Sequence, residues 1–155
     1  MAVLCSLVLV RSDDRLLLAR KRRGFGAGKL VAPGGKVEPG ETPAQGALRE
    51  LYEETGLVAA LDDLVAAGEV RFVFDGPAED FLVHLFTLTA YAGEPAATEE
   101  LDEPCWAPLD ALPLDEMWPD DAVWLPALLA GATIDLTITY DATASRILAV
   151  EGPGH

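Results

Sequence analysis

The chain has 155 residues, half of them hydrophobic, and 26 acidic side chains against 11 basic ones give it a formal net charge of −15. That length fits one domain spanning residues 1–155, and that apolar content excludes a disordered chain. The charge excludes general binding to nucleic-acid polymers and to membrane surfaces, which are themselves polyanionic.

Taken from the N-terminus, Met1-Ala2-Val3-Leu4-Cys5 lacks the basic start and small-residue cleavage site of a secretory signal. No apolar run approaches the ~18–20 residues that span a bilayer, so a cytoplasmic location is expected. Val3 to Val10 is a nearly continuous apolar and β-branched run, and Arg15 to Arg20 frames a second one beyond Ser12-Asp13-Asp14. Together they predict a hairpin whose first strand is buried on both faces. Gly24-Phe25-Gly26-Ala27-Gly28-Lys29 then interrupts regular structure without dinucleotide or Walker spacing; it reads either as a mobile loop or as one facing a substrate. Nine of the eleven basic residues fall in the first 49 positions, which carry +5 while residues 50–155 carry −20.

Residues 42–55 give the clearest helix. Thr42 is a good N-cap, Pro43 suits the first helical position, Gln45 completes a capping box and Gly56 supplies the stop. Ala44, Ala47, Leu48, Leu51 and Thr55 form its core stripe. Strands are expected over 68–75 and 81–91, joined at Gly76-Pro77, with His84 a packing residue. Residues 92–105 are acidic and rich in Ala and Pro, which predicts a loop. Pro119 to Ala130 reads as a second helix, opened by Pro119, Asp120 and Asp121 and closed by Gly131. An alternating strand from Ile134 to Tyr140 and a short partner over Arg146–Val150 end the chain; His155 is a terminal tail. Cys5 and Cys105 are unclustered in apolar neighbourhoods, which suits buried structural thiols and not a zinc site. Strands surrounding two helices make an α/β (α+β) sandwich.

The chemistry concentrates on the first helix. Glu50, Glu53 and Glu54, at i, i+3 and i+4, are expected to stand opposite the core stripe within a sector about 100° wide. Like charges at that spacing repel, which suits either a solvated acidic face or a hard divalent cation such as Mg²⁺ or Mn²⁺. Gly46, one turn earlier, leaves room for a ligand to approach.

Gly35, Glu41, Arg49-Glu50-Leu51, Glu53-Glu54 and Gly56-Leu57 fit the pattern G-x5-E-x7-R-E-U-x-E-E-x-G-U, with U aliphatic, at every position. This resembles the Nudix box, the signature of hydrolases that cleave a nucleoside diphosphate linked to another group. The resemblance implies a Nudix-like α/β/α sandwich with a mixed central sheet and two main helices. It implies Glu50, Glu53 and Glu54 as metal ligands, the Gly34 carbonyl as a further ligand, Arg49 holding the glutamates by ion pairs and Glu41 anchoring the loop before the helix. Either Glu53 or Glu54 would take the proton of the attacking water. Lys21, or a neighbour within Arg20–Arg23, is placed to pair with phosphate.

Arg23-Gly24-Phe25-Gly26-Ala27-Gly28-Lys29, Pro104-Cys105-Trp106 and Met117-Trp118-Pro119-Asp120-Asp121 are similar to the MutT-homologue branch, which sanitises oxidised purine nucleoside triphosphates. The resemblance implies that Trp118 stacks on the purine and that Asp120 and Asp121 read its edge. Phe25, Phe72 and Phe74 match apolar pocket positions, although Phe72 and Phe74 also suit core packing. Ser6 matches a pocket-facing Thr, and Glu100 an acidic residue that can join the metal site. Where the branch has a base-binding Asn, this chain has Val31, which cannot hydrogen-bond, so base choice is open. The expectation is a monomeric, Mg²⁺-dependent (Mn²⁺-compatible) pyrophosphohydrolase acting on a purine nucleoside triphosphate such as 8-oxo-dGTP or 2-hydroxy-dATP. The alternatives are a Nudix hydrolase of another modified nucleotide and a non-catalytic nucleotide-binding sensor.

Overall fold

The first apolar run forms β1 (Val3–Ser12) and the second β2 (Arg15–Lys21), in a computed structural model that describes residues 2–152. His155 lies outside the described residues. β1 and β2 pair antiparallel only beside their turn, at Arg11 with Leu16 and Ser12 with Arg15. Beyond it they diverge into different neighbours. Two short strands follow the glycine-rich loop, β3 (Leu30–Val31) on β2 and β4 (Gly34–Lys36) on β1.

Helix α1 (Pro43–Thr55) begins where its sequence signals put it. The Thr42 hydroxyl accepts from the Gln45 N–H, the Gln45 side chain accepts from the Thr42 N–H, and Gly56 closes the helix in the left-handed conformation at φ 82°. β5 (Val65–Phe74) and β6 (Phe81–Leu88) follow as an antiparallel pair, and β6 lies parallel to β1 over its whole length.

The loop expected over 92–105 is corrected at its end: Leu101–Pro108 form β7, antiparallel to β2. Two prolines and two acids hid this strand. They are tolerated because β2 is its only strand partner among the described residues, leaving one edge free of ladder bonds. Leu101 and Ala107 of β7 are buried, whereas Cys105 lies toward solvent. The exposure of Cys105 and the only partial burial of Cys5 correct the reading of both as buried thiols. Helix α2 (Asp121–Leu129) starts two residues later than Pro119, and β8 (Ile134–Tyr140) and β9 (Ile147–Glu151) complete the sheet, β8 running parallel to β5.

The strand order β3-β2-β1-β6-β5-β8-β9, with β4 and β7 off that path, is mixed. Residue alternation on β1 serves two cores. Val8 and Val10 pack with Ala47 and Leu51 of α1, while Leu9 joins Trp124, Leu125 and Leu128 of α2 on the other face. This is the expected α/β/α sandwich, and burial of these apolar faces is its main driving force. Neither helix is long and apolar enough to cross a membrane.

Candidate active site

The loop between β4 and α1 is fastened by one guanidinium. Arg49 Nε and Nη2 donate to the two oxygens of Glu41 at 2.8 and 3.0 Å, and Nη2 also donates to the Lys36 carbonyl at 2.9 Å. Nη1 donates to Glu50 Oε1 at 2.8 Å and to Glu53 Oε2 at 3.2 Å. Glu41 in turn accepts the Glu38 N–H at 2.8 Å, so loop and helix are locked together. The Arg49 bonds, with the Glu38 N–H, hold the Glu41 carboxyl below the usual carboxylate range.

The three helix glutamates do not share one solvated face. Glu53 is 53% exposed, Glu50 is partly buried, and Glu54 is buried at 5% exposure, accepting the Gly34 N–H at 2.8 Å. The expectation that all three stand opposite the core stripe is corrected: β4 lies against the helix's C-terminal half, Gly34 on Glu54 and Gly35 on Glu50. At Gly35 a Cβ would stand 2.6 Å from the Glu50 carboxyl carbon, so only glycine lets that carboxylate lie against the strand. Burial pushes the Glu54 carboxyl up to about 7 against the opposing Gly34 N–H, and burial also raises Glu50 despite Arg49. The room expected at Gly46 is filled, since a Cβ there would meet Glu41 at 3.2 Å and Val37 at 3.5 Å.

A cavity of about 420 Å³ opens on the α2 side of the sheet. Its walls include Lys21, Gly34, Gly35 and Glu54, together with Trp118, Asp120 and Asp121 and the apolar Phe25, Val31, Phe72 and Phe74. The glycine-rich loop faces this cavity. Phe25 stacks on Trp118 with ring centroids 4.9 Å apart, Lys29 Nζ lies 5.0 Å from the Trp118 ring, and a Cβ on Gly26 would press on the indole at 2.8 Å. Ser6 borders the cavity, but its hydroxyl is committed elsewhere, donating to the Pro43 carbonyl at 2.6 Å. Ser6 thus lines the cavity while its hydroxyl points toward α1, the side that even positions of β1 face.

Asp120 and Asp121 are both buried. Asp120 makes no side-chain cap for α2; it turns into the core and accepts from Trp124 Nε1 at 2.7 Å and from the Tyr140 hydroxyl at 2.5 Å. Asp121 Oδ2 accepts the Trp118 N–H at 3.1 Å. Burial raises both carboxyls above the usual range, Asp121 the more because it also feels the charge of Asp120.

The NUDIX domain family model matches residues 2–128. The chain belongs to the Nudix family. Among curated Nudix relatives, the oxidized purine nucleoside triphosphate hydrolase of Danio rerio is 47% identical over 81% of this chain and 79% of its own length. The protein of the same description from Mus musculus is 46% identical with the same coverage. Among solved structures, a mutator MutT protein from Bacillus halodurans superposes with a TM-score of 0.77 over 96% of both chains at 24% identity, a likeness of fold.

Nudix hydrolases work with a divalent metal, and the donors present suit one: three carboxylates and a strand carbonyl are hard oxygen ligands. Burial raises the Glu54 and Glu50 carboxyls, a penalty that a neighbouring cation would relieve. Among the described residues no three such side chains are gathered around one point; Glu50 and Glu53 rest on Arg49 and Glu54 on Gly34. Glu100 is likewise held away, with Arg23 at 2.6 Å, although its charge still reaches Glu54. Three of the four basic residues at the end of β2 and beyond are paired: Arg20 with Glu116, Arg22 with Asp102 and Arg23 with Glu100. Lys21 lines the cavity with no carboxylate paired to it among the described residues.

Sequence reasoning missed Trp124 and Tyr140, which fix Asp120. Trp124 was legible as the i+4 neighbour of Asp120 on a helix. Tyr140 carries no local signal, since it reaches Asp120 from a strand 20 residues on.

Proposed function

We propose that this Nudix hydrolase is a Mg²⁺-dependent pyrophosphohydrolase that converts an oxidised purine nucleoside triphosphate, such as 8-oxo-dGTP or 2-hydroxy-dATP, to monophosphate and pyrophosphate. The observation that carries this reading is one cavity walled both by Trp118, Asp120 and Asp121 and by Lys21, Gly34 and Glu54. Its volume lies within the usual range for small-ligand sites. The names of the two oxidized purine nucleoside triphosphate hydrolases support the same substrate class.

In this reading Trp118 and Phe25 hold the purine by stacking, Asp121 and Asp120 read its edge, and Phe72, Phe74 and Val31 exclude water around it. Lys21 pairs with a phosphate oxygen. Glu50, Glu53 and Glu54, with the Gly34 carbonyl, hold Mg²⁺, and Mn²⁺ can replace it; Glu100 joins them on leaving Arg23. When bound, the divalent cation neutralises charge on the phosphate chain. Arg49 keeps Glu50 and Glu53 oriented, and Glu53 takes the proton of the attacking water, because its carboxylate is the exposed one. The chain acts as one domain and a monomer in the cytoplasm on free nucleotide, not on polymers or membranes, which its net charge supports.

Val31 favours a second reading, hydrolysis of another modified nucleotide, because that wall of the cavity offers a base no hydrogen bond. A panel of oxidised, methylated and unmodified purine nucleoside triphosphates with Mg²⁺, followed by pyrophosphate and monophosphate release, separates the readings. Turnover best on an oxidised purine is expected. Preference for another nucleotide favours the second reading, and tight binding without turnover of any would leave only a sensor. Trp118→Ala is expected to lower kcat/KM by about 5- to 150-fold, mainly through KM, as loss of one stacking platform worth ~1–3 kcal/mol requires. An unchanged KM would remove Trp118 from base binding.

A further inference from the structure

Two adjoining carboxyl groups out of water do not both ionise readily, so one of Asp120 and Asp121 keeps a proton when the other is charged. Their hydrogen bonds differ in kind. Asp120 Oδ2 lies 2.7 Å from Trp124 Nε1, an indole nitrogen that can only donate. Asp120 Oδ1 lies 2.5 Å from the Tyr140 hydroxyl, and that hydroxyl already accepts the backbone N–H of Asp120 at 2.9 Å. Having accepted there, the hydroxyl directs its hydrogen to Oδ1. Asp120 thus receives a donor on each oxygen, the arrangement that suits a carboxylate.

Asp121 is differently placed. Its Oδ2 accepts the Trp118 N–H, and its Oδ1 has no hydrogen-bond partner among the described residues. Among the described residues no side-chain oxygen sealed from solvent lacks a partner, so this one reaches the cavity that Asp121 lines. The remaining charge acting on the pair comes from Lys29 of the glycine-rich loop, which favours ionised Asp121 and opposes the effect of burial. The aromatic rings of β5 and β6 that line the cavity, Phe72, Phe74 and Phe81, bring no charge.

We propose that Tyr140 is a positioning residue for substrate discrimination: it holds Asp120 as the ionised acceptor and leaves the pair's proton on Asp121, which then offers an O–H to the purine edge. The preferred base is one with an acceptor, a ring nitrogen or carbonyl oxygen, at that point. The choice of a purine rests on the proposed function; the placement of the proton does not.

The test has two arms. In the free protein, ¹³C NMR titration of the aspartate carboxyls is expected to show Asp120 ionising before Asp121 as pH rises. In Tyr140→Phe the Asp120 midpoint moves up by about one pH unit, the effect of one hydrogen bond to a charged group. In the second arm, the acid limb of kcat/KM moves up by a similar amount in Tyr140→Phe. The ratio of kcat/KM between 8-oxo-dGTP and 2-hydroxy-dATP changes about 3- to 10-fold, with kcat at the plateau retained. A hydroxyl that merely stabilised the fold would lower Tm and leave limb and ratio where they were. Asp121 ionising first in the parent protein, a measurement that needs no variant, overturns the proposal, as does an unmoved Asp120 midpoint or acid limb in Tyr140→Phe. If the parent hydrolyses neither nucleotide, the proposed function fails while the titration still decides the role of Tyr140.

Discussion

Glu53→Gln is expected to lose ~10²–10⁴-fold in kcat, the usual contribution of a positioned general base, with little change in thermal midpoint. The amide keeps the shape of the side chain and cannot take a proton. Glu53 is half exposed and its one ion pair, with Arg49 at 3.2 Å, is of the surface kind worth about 0–1 kcal/mol, so the fold has little to lose. Glu54 is the competing base, but it is buried and its Oε1 is held by the Gly34 N–H, which fits a fixed ligand better than a group that moves protons. Steady-state kinetics at rising Mg²⁺ separates the two roles of Glu53. A rate restored by excess Mg²⁺ would make it a ligand only, and a variant as active as the parent would hand the base to Glu54.

Gly68→Ala is expected to cost at least about 3 kcal/mol of stability, or roughly 10 °C in Tm for a chain of this size. Gly68 lies at the bulge where β5 shifts register against β6 and begins its parallel ladder with β8. Its φ of 104° is one that side chains rarely adopt, and a Cβ there would overlap the Ile134 carbonyl. Strain and a clash with backbone add, because neither strand can move without loosening the core around Val70 and Ile138. Gly131→Ala is the control: φ is 103°, but nothing lies within 4 Å of the added carbon, so only the conformational cost of ~1 kcal/mol is expected. Equal melting shifts for the two variants would show that the close approach at Gly68 is not what matters.

The helix carrying the glutamates was legible residue by residue, because capping, the first-turn proline and the terminal glycine act within one turn of the chain. Leu101–Pro108 was not legible as a strand, since a partner 80 or more residues away supplies its hydrogen bonds and its own composition argues against it. The same limit applies within the site. Spacing along the helix brought Glu50, Glu53 and Glu54 together, yet it could not show that β4 buries Glu54 and leaves Glu53 in water. Nor could it show that Arg20, Arg22 and Arg23 are each paired with an acid, which leaves Lys21 at the cavity wall.

By itself the sequence determined the family and named the candidate site residues, because the Nudix box packs its carboxylates, its guanidinium and its turn glycines into 23 consecutive residues. The excess of acid over base likewise pointed to a cation requirement once the carboxylates were seen on one helix. Only the tertiary structure decided which of those carboxyls are buried and which way they face. That depends on packing and on donors from distant strands, Gly34 for Glu54 and Tyr140 for Asp120, and such contacts exist only after the sheet has closed around them.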